Sequence, residues 1–504
     1  MPDDTTNARP RFVPDWPTCT EDAGRCSGRR IEGIEQCLAH LAGDHLDTAL
    51  GRFAPGADVD LRGTTLTPGL LQRLLAGMSE GEDPPRSFPR FGRADFRHCF
   101  FSGDDPQHTG TATSNDLALP VFRFFGTEFG GDARFDGTEF GGHTRFDHAN
   151  FGGYARFDDA NFGGLAGFDG ANFGGHARFD GANFGGLARF GSANFGGQAG
   201  FGGANFGGYA RFDDAKFGGE TWFDSVKFGG DAEFDDAEFN GSTQIGPLVA
   251  STLSLNASFA KRAIVEVEAG KIWVNGTRFE DGVELRVRYA MIDMQGTFFG
   301  APSSLSGAPA PFGHAGWTVA AEREQVSAWV AERDGADPVS VSGRRGAGLE
   351  LWVPQLLSVQ ETDVSQLTLA DVDLRWCRFT GAHQLDKLRL EGRSPFNRPP
   401  GWQTGLAWPP VWRWTSRRVL AEEHPWRARR RKSGGWTKAL PDLDGVEGPP
   451  VGPERLAVVY RSLRKAFEDG KNEAGAGDFY YGEMEARRHA PSTGRAERAL
   501  LTAY

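Results

Sequence analysis

The segment Ala171-Asn-Phe-Gly-Gly-His-Ala-Arg-Phe-Asp-Gly181 is one copy of an 11-residue unit that recurs along the chain. Phenylalanine occurs 21 times between Phe129 and Phe239, with spacings that alternate between six and five residues. Such a regular short period is typical of a solenoid, in which each unit buries its apolar face only by stacking on its neighbours. The predicted core ladder consists of Phe129, Phe135, Phe140, Phe146, Phe151, Phe157, Phe162, Phe168, Phe173, Phe179, Phe184, Phe190, Phe195, Phe201, Phe206, Phe212, Phe217, Phe223, Phe228, Phe234 and Phe239.

The residue two positions before each of these phenylalanines is small: 16 are alanine, four are threonine and one is Val226. Positions i and i−2 of an extended strand share a face, so each short strand directs a large and a small side chain the same way. We expect this face to form the core, because an outward row of phenylalanines would expose a large apolar surface. Ten of the phenylalanines precede Gly-Gly, which predicts corners at which glycine adopts a positive φ.

The stretch Ala171-Asn-Phe-Gly-Gly175 resembles the unit of the pentapeptide-repeat family, which is a small residue, a polar residue, a central Leu or Phe and two corner residues. Ala177-Arg-Phe-Asp-Gly181 resembles it too, and His176 is an added sixth residue between the two. The resemblance covers residues 57–300. It implies a mainly β fold, a right-handed quadrilateral β-helix with four arms per coil, which makes about 22 residues per coil of this 11-residue double repeat. Local sequence patterns add short N-terminal and C-terminal helical segments to the predicted fold.

A coil of about this length predicts columns of like side chains along the outside of about five coils, over roughly 24 Å. The sixth-position histidines, His143 and His176, are expected to be exposed. The predicted columns are Arg134, Arg156 and Arg178 beside Asp136, Asp158 and Asp180; Arg145, Arg189 and Arg211 beside Asp147, Asp169 and Asp213; Asn150, Asn172 and Asn194; and Asn161, Asn183 and Asn205.

Changes in composition divide the chain into seven segments. They are a disordered lead at 1–16, a Cys/His segment with helices at 17–80, the solenoid at 81–300 with its regular part at 119–241, an insertion at 301–348 with a helix near Val319–Arg333, a further β segment at 349–393, a Trp/Arg-rich connector at 394–450 and C-terminal helices at 451–504. Thr67 and Pro68 predict the start of an early helix, and two late helices are predicted at Pro453–Asp469 and Asp478–His489.

Three cysteines and a histidine near the start, Cys19, Cys26, Cys37 and His40, form a complete donor set for a structural zinc ion. Cys37 and His40 lie one helical turn apart and can share a metal. Such a site would stabilise a segment too small to form its own core. The alternatives are unrelated buried cysteines, or a Cys19–Cys26 disulfide in an exported chain. His45 is a spare candidate ligand.

Charge is distributed unevenly in a chain of net charge −12. Residues 129–239 hold 8 basic and 17 acidic residues, whereas residues 411–440 hold 9 basic and two acidic ones. Tryptophans interleave with the second group, a composition that suits an anionic membrane surface or nucleic acid. The alternative is a solvated linker whose tryptophans dock on the solenoid. The candidate residues for an anionic surface are Arg417, Arg418, Arg427, Arg429, Arg430, Arg431 and Lys432.

An acidic N-terminus without signal-peptide features, an odd number of cysteines and the lack of an apolar run long enough to span a membrane predict a cytoplasmic protein. Tyr460–Asp469 and Asp478–Arg488 resemble a juxtamembrane segment of large actinobacterial pentapeptide-repeat proteins, which continue into a channel-like membrane domain. Cys19–His40 and Ala57–Thr65 resemble the start of such proteins. The resemblance implies the cytoplasmic part of a membrane-associated protein at the inner face of the membrane, or a version that lost its membrane part.

No catalytic constellation or phosphate loop is evident, so we expect a non-enzymatic β-solenoid scaffold with a protein partner along its flank and no small-molecule substrate. Some pentapeptide-repeat relatives imply an alternative, a DNA-mimicking rod that binds a type II topoisomerase (gyrase). Duplex DNA carries about 14 charges over roughly 24 Å, whereas residues 129–239 carry a net −9 diluted by arginine columns. We therefore favour the scaffold. An enzyme within 301–392 is the third hypothesis, and nucleic acid is not an expected partner.

Overall fold

The computed structural model describes residues 13–79, 88–102, 119–312, 352–400, 417–430, 436, 440 and 451–503. The chain divides into two compact units, Met1–Gly208 and Tyr209–Tyr504. Counted over both units, it forms about 11 coils of parallel β-solenoid with about 22 residues per coil, and a few helices lie toward the two termini. The predicted fold class is therefore confirmed.

The first unit begins with helical elements and continues as two- or three-residue parallel strands. The helical elements are a turn at Glu21–Gly24, a 3-10 turn at Leu38–His40, α1 at Gly43–Leu50 and α2 at Pro68–Gly77. As predicted, Thr67 caps α2, because its hydroxyl accepts a hydrogen bond of 3.2 Å from the Leu70 amide. The strands are Val59–Asp60, Thr65–Leu66, Arg90–Phe91, Ala94–Asp95, Phe100–Phe101, Val121–Arg123, Glu128–Phe129, Ala133–Arg134, Glu139–Phe140, His143–Arg145, Asn150–Phe151, Ala155–Arg156, Asn161–Phe162, Ala166–Gly167, Asn172–Phe173, Ala177–Arg178, Asn183–Phe184, Ala188–Arg189, Asn194–Phe195, Ala199–Gly200 and Asn205–Phe206.

Strands in the regular part of this unit pair in parallel with the equivalent strand of the next coil. Phe151 lies beside Phe173, and their rings stack with centroids 4.8 Å apart and 3° between the planes. Phe151 also meets Phe157 of the next arm edge-on at 6.0 Å. Both geometries are favourable for aromatic rings. All 21 phenylalanines of the core ladder are buried, counted over the two units.

The Gly-Gly corners correct one prediction, because none of these glycines has a positive φ in the described repeat. Positive φ instead occurs two residues after the other phenylalanines, at positions such as His148 (φ 57°) and Gly181 (φ 68°). The Gly-Gly corner needs glycine because the backbones of successive coils approach closely. A Cβ on Gly175 would lie 2.7 Å from the carbonyl carbon of Gly153 and closer still to its oxygen, whereas a Cβ on Gly174 would have ordinary contacts of 3.4 Å or more.

The second unit starts with the register of the first and then shortens its coils. Thr221 pairs with Thr243, whereas Ser258 pairs with Arg278, a span that is two residues shorter. The coil shortens because the sixth residues are lost. The strands are Ala210–Arg211, Lys216–Phe217, Thr221–Phe223, Val226–Phe228, Ala232–Glu233, Glu238–Phe239, Thr243–Ser254, Ser258–Phe259, Ala263–Trp273, Arg278–Phe279, Val283–Arg288, Met291–Asp293, Phe298–Phe299, Ser303–Gly307, Gln355–Ser358, Leu367–Ala370 and Arg389–Glu391.

An insertion interrupts the coils of the second unit without ending them. The strand Ser303–Gly307 still pairs with Val283–Arg288, so the solenoid continues past residue 300. Met291 then pairs with Gln355, so the chain between these two adjacent strands is more than three times as long as the coil from Ser258 to Arg278. The helix predicted near Val319–Arg333 lies outside the described residues.

The second unit ends with helical elements, the first of which immediately precedes the last strand. They are a 3-10 turn at Leu385–Lys387, α3 at Glu423–Arg430, α4 at Pro453–Asp469, α5 at Glu473–His489 and α6 at Arg495–Ala503. One apolar stripe of α4 is buried, and it consists of Leu456, Val459, Tyr460, Leu463 and Phe467. α4 packs against the Leu385–Lys387 turn and the last strand, Arg389–Glu391, so it covers the exposed edge of the final coil.

A buried ion pair connects the segment before α3 to α4. The guanidinium of Arg417 donates a hydrogen bond of 2.5 Å to Glu423, and the Tyr460 hydroxyl donates to the other oxygen of that carboxylate. Burial alone would raise the pKa of Glu423, but the positive charges of Arg417 and Arg427 lower this pKa to about 2. The carboxylate therefore stays ionised inside the fold.

His424 occupies an apolar setting beside this ion pair. Its ring meets Trp376 at 5.3 Å and Trp436 at 4.9 Å, edge-on in both cases, and neither ring nitrogen has a hydrogen-bond partner in the described part of the chain. Burial lowers the pKa of His424 to about 4, although the charge of Glu423 acts in the opposite direction. The imidazole is therefore neutral at pH 7.

We expect Gly175→Ala to destabilise the first unit by about 1–3 kcal/mol, because its Cβ would overlap the backbone of the adjacent coil. Gly174→Ala is the matched control. Its Cβ has room, so the free energy of unfolding should change by less than about 1 kcal/mol. Urea unfolding of both variants measures the difference, and an equal loss in both would contradict the close approach of the backbones at this corner.

We expect the free energy of unfolding of the second unit to decrease at acidic pH because His424 becomes protonated in the unfolded state. The pKa of this histidine is lower in the folded state than its ordinary value of 6.5. Its contribution to stability is therefore complete above pH 6.5 and is lost as the pH falls toward about 4. Between pH 7 and about pH 4.5 the loss should be about 2 kcal/mol, measured by urea unfolding at both values. His424→Phe should remove this part of the pH dependence. His383→Gln, at an exposed position, should not remove it, and a pH dependence unchanged by His424→Phe would refute the assignment.

Candidate functional site

The four predicted metal ligands come together near the start of the first unit. The donor atoms of Cys19, Cys26, Cys37 and His40 all lie within 4.8 Å of one another. The Sγ atoms of Cys26 and Cys37 are 3.8 Å apart, and His40 Nδ1 lies 3.3 Å from Cys19 Sγ and 3.5 Å from Cys37 Sγ. Ligand atoms around tetrahedral zinc lie roughly 3.5–3.8 Å apart. The cluster therefore fits a zinc ion geometrically.

The local backbone explains why ligands spaced so widely in sequence converge. An antiparallel bridge between Thr18 and Arg29 closes a loop that brings Cys19 and Cys26 together, and the Cys19 amide donates to the Gly28 carbonyl at 2.8 Å. Cys37 immediately precedes the Leu38–His40 turn. Gly28 has no room for a side chain, since a Cβ would lie 2.8 Å from both Cβ and Sγ of Cys37.

Hydrogen bonding around the cluster favours a thiolate at Cys26 and a fixed orientation of the His40 imidazole. A hydrogen bond from Cys37 lowers the pKa of Cys26 to about 5, and the same interaction raises the pKa of Cys37. His40 Nε2 lies 3.5 Å from a carboxylate oxygen of Asp22, which leaves Nδ1 directed at the thiols. The spare candidate, His45, is exposed on α1 and lies outside the cluster.

The cysteine segment packs against the first coil. Ser27 donates to the Gly63 carbonyl at 3.1 Å, and the Arg29 amide donates to the Arg62 carbonyl at 2.8 Å. A Cβ on Gly63 would lie 2.8 Å from the Ser27 carbonyl carbon. The four clustered residues therefore belong to a segment that covers the open edge of the solenoid at this end.

Two asparagine columns form amide ladders on different faces of the first unit. Asn172 Nδ2 donates to Asn150 Oδ1 at 2.8 Å, and Asn194 repeats this bond to Asn172 at 2.8 Å. The second ladder contains Asn161, Asn183 and Asn205, with bonds of 2.7 and 2.6 Å. The structure thus confirms both predicted columns.

The predicted arginine and aspartate columns form a ladder of alternating charge. Arg156 lies 3.1 Å from Asp136 of the preceding coil and 3.0 Å from Asp158 of its own coil. Arg178 repeats this pattern with Asp158 and Asp180. On another face Arg145 pairs with Asp147 at 2.7 Å. In the second unit Arg211 pairs with Asp213 at 2.7 Å.

The sixth residue of each unit has a structural role that differs from the prediction. His143 and His176 are half-buried rather than exposed, because Nδ1 of each accepts a hydrogen bond from a backbone amide of the next coil. Tyr154 stacks on His176 with centroids 5.1 Å apart and is itself 52% exposed. This corner therefore presents an ordered aromatic side chain to solvent.

The basic segment is only partly available to an anionic surface. Arg417 is buried against Glu423, which removes it from the predicted surface. Arg427 also pairs with Glu423. Arg418 lies over the ring of Phe467 at 5.6 Å, with its Nε 3.9 Å from Asp478.

Among the candidate residues for an anionic surface, Arg429 is exposed. Arg431 and Lys432 lie outside the described residues, and the Arg430 side chain is not described. Binding of an anionic surface by these residues stays a prediction. In the parts of the chain that the structure describes, no helix combines the length and apolar character needed to cross a membrane.

Comparison with known proteins identifies the repeat. The family model described as pentapeptide repeats (9 copies) matches residues 124–171, 157–204, 168–216 and 201–244. Together these matches span the 21 phenylalanines from Phe129 to Phe239. No curated protein and no solved structure matches the chain. Residues 124–244 are thus similar to the pentapeptide-repeat family.

Proposed function

We propose that the protein is a non-enzymatic scaffold that binds a protein partner along the flank of the first unit. Phenylalanine and alanine fill the inside of the coils, so the outward columns carry the chemistry of the flank. Amide ladders and ion pairs already hold these columns in place. A surface ordered before binding loses little side-chain entropy when a partner binds.

Tyr154 is the observation that carries this proposal. Its ring is half-exposed although it is fixed by stacking on His176. Tyrosine is enriched at the centres of protein interfaces, because it combines a large apolar surface with one polar group. The neighbouring coils add polar side chains to the surroundings of this ring, which suits the rim of an interface.

Charge pairing favours a protein partner over DNA mimicry. Asp136, Asp158 and Asp180 each have an arginine within ion-pair distance. Duplex DNA instead presents uncompensated charges at about 1.7 Å intervals along its axis. A ladder of alternating sign reproduces that field poorly, so the gyrase hypothesis ranks second.

We also propose that Cys19, Cys26, Cys37 and His40 bind one zinc ion. Three thiolates and an imidazole would complete its tetrahedral coordination, so the ion would be structural rather than catalytic. Zinc-binding thiols stay reduced in the cytoplasm, which is where we place the protein. Membrane association, suggested by the resemblance to actinobacterial channel-like proteins, stays a prediction.

Tyr154→Ala should reduce capture of the partner at least about tenfold, because a buried interface tyrosine commonly contributes this much. Quantitative mass spectrometry of proteins captured by full-length wild-type and variant chains measures the ratio. Tyr480→Ala, at a 39% exposed position on α5, is the control and should leave capture of that partner unchanged. Capture profiles that do not depend on Tyr154 would count against this flank.

Purified full-length protein should contain about one zinc ion per chain by elemental analysis, and Cys37→Ser should lose it. Cys99→Ser is the matched control, because Cys99 is also buried in the first unit but lies outside the cluster, where its thiol donates to the Leu61 carbonyl. The control should retain the metal. Wild-type protein without zinc, or a Cys37→Ser variant that keeps it, would refute the site.

A further inference from the structure

The second unit contains a cleft with a volume of about 1210 Å³. Residues 386–398, at the end of the last coil, line one side of it. The other side is lined by residues at the end of α4 and just beyond it, namely Ala466, Phe467, Asp469, Gly470 and Asn472. Phe396 is buried beneath, where its ring contacts Phe379, so the base of the cleft is part of the core. A cleft of this size accommodates a small-molecule ligand.

Basic residues dominate the lining. Six lining residues are arginine or lysine and three are aspartate or glutamate, in a chain of net charge −12. Two of the six, Arg375 and Arg418, pair with Asp373 and Asp478 outside the lining. Within the described structure, the guanidinium groups of Arg389, Arg393 and Arg398 form no ion pair with a carboxylate. Concave surfaces lined by one sign of charge focus the electrostatic potential and attract ions of opposite sign.

Two of these arginines, Arg393 and Arg398, lack the nearby acid that pairs with other arginines of the second unit. Arg211 pairs with Asp213 and Arg278 pairs with Glu280, in each case an acid two residues along the chain. Proline stands two residues after both Arg393 and Arg398 in the sequence, so the usual partner is missing there. The guanidinium groups of Arg393 and Arg398 are therefore available to bind an external anion.

We propose that this cleft binds an anion that carries two or more phosphate groups. Arginine is suited to this role, because its planar fork of donors matches phosphate oxygens. Several separated arginines favour a ligand with several phosphates. Asp469 and the carbonyl end of α4 belong to the other side of the cleft, which confines the anion to the arginine side. Anion binding here is independent of a partner on the first unit.

Titration calorimetry of the full-length protein with inorganic tripolyphosphate tests the proposal. Wild-type protein should bind it, and the double variant Arg393→Gln/Arg398→Gln should bind at least about tenfold more weakly. Both side chains are exposed, so the variant should fold, and unchanged thermal unfolding verifies this. The control double variant Arg455→Gln/Arg495→Gln removes the same charge from exposed positions of the same unit outside the cleft, and it should retain wild-type affinity.

Vesicles distinguish a lipid headgroup from a soluble phosphate compound. Phosphatidylcholine vesicles that contain phosphatidylinositol bisphosphate are compared with vesicles of equal charge that contain phosphatidylserine. A preference for the bisphosphate vesicles that is lost in Arg393→Gln/Arg398→Gln would support the cleft as a binding site for a lipid headgroup. Binding of tripolyphosphate without a preference for these vesicles would support the cleft as a binding site for a soluble phosphate compound. No binding of either probe, or an equal loss of binding in the control variant, would overturn the proposal.

Discussion

Stacking of phenylalanine rings between successive coils is the interaction on which the repeat depends. The rings of Phe162 and Phe184 lie 4.9 Å apart and parallel, which matches the spacing of strands in a sheet. Ring stacking and backbone pairing therefore use the same register. Because both repeat once per coil, each outward side chain lies beside its counterpart in the next coil, as the Asn161 and Asn183 amides do. The ladders on the surface are a consequence of the packed interior.

The fold could be predicted from the sequence because one side-chain pattern repeats without interruption. The alternation of phenylalanine and small residues determines which side chains point inward, and the length of the coil then determines the outward columns. The sequence does not reveal distances between backbones. Position 175 requires glycine because a side chain there would approach the carbonyl carbon of Gly153 to 2.7 Å, and no pattern of φ preferences contains this information. His176 is half-buried for a related reason, since it accepts a bond from the next coil.

The candidate sites were predictable only where their residues are close in sequence. Cys37 and His40 share one turn, and that spacing indicated the cluster. The composition of the basic segment wrongly predicted that Arg417 is available to an anionic surface. Arg417 is buried by its contacts with Glu423 and Tyr460, which composition does not show. The arginines of the cleft were missed entirely. They converge because the last coil and the end of α4 meet in space, and only the lack of nearby acids after Arg393 hinted at a role.

The open edges of the solenoid strands are covered by different means in the two units. The segment that contains the cysteine cluster packs on the first coil, and α4 packs on the last strand. Uncovered strand edges pair readily with other chains, so both covers protect against aggregation.

The central claim is that neighbours on the surface of the repeat are one full coil apart in sequence, and cysteine cross-linking tests it most directly. Asn150 and Asn172 lie side by side, with Cα atoms about 4.8 Å apart, within the range for a disulfide. Under mild oxidation Asn150→Cys/Asn172→Cys should form that disulfide in folded protein, identified by peptide mapping, whereas Asn150→Cys/Asn161→Cys, half a coil apart, should not. A disulfide in the second variant, or none in the first, would contradict the proposed length of the coil.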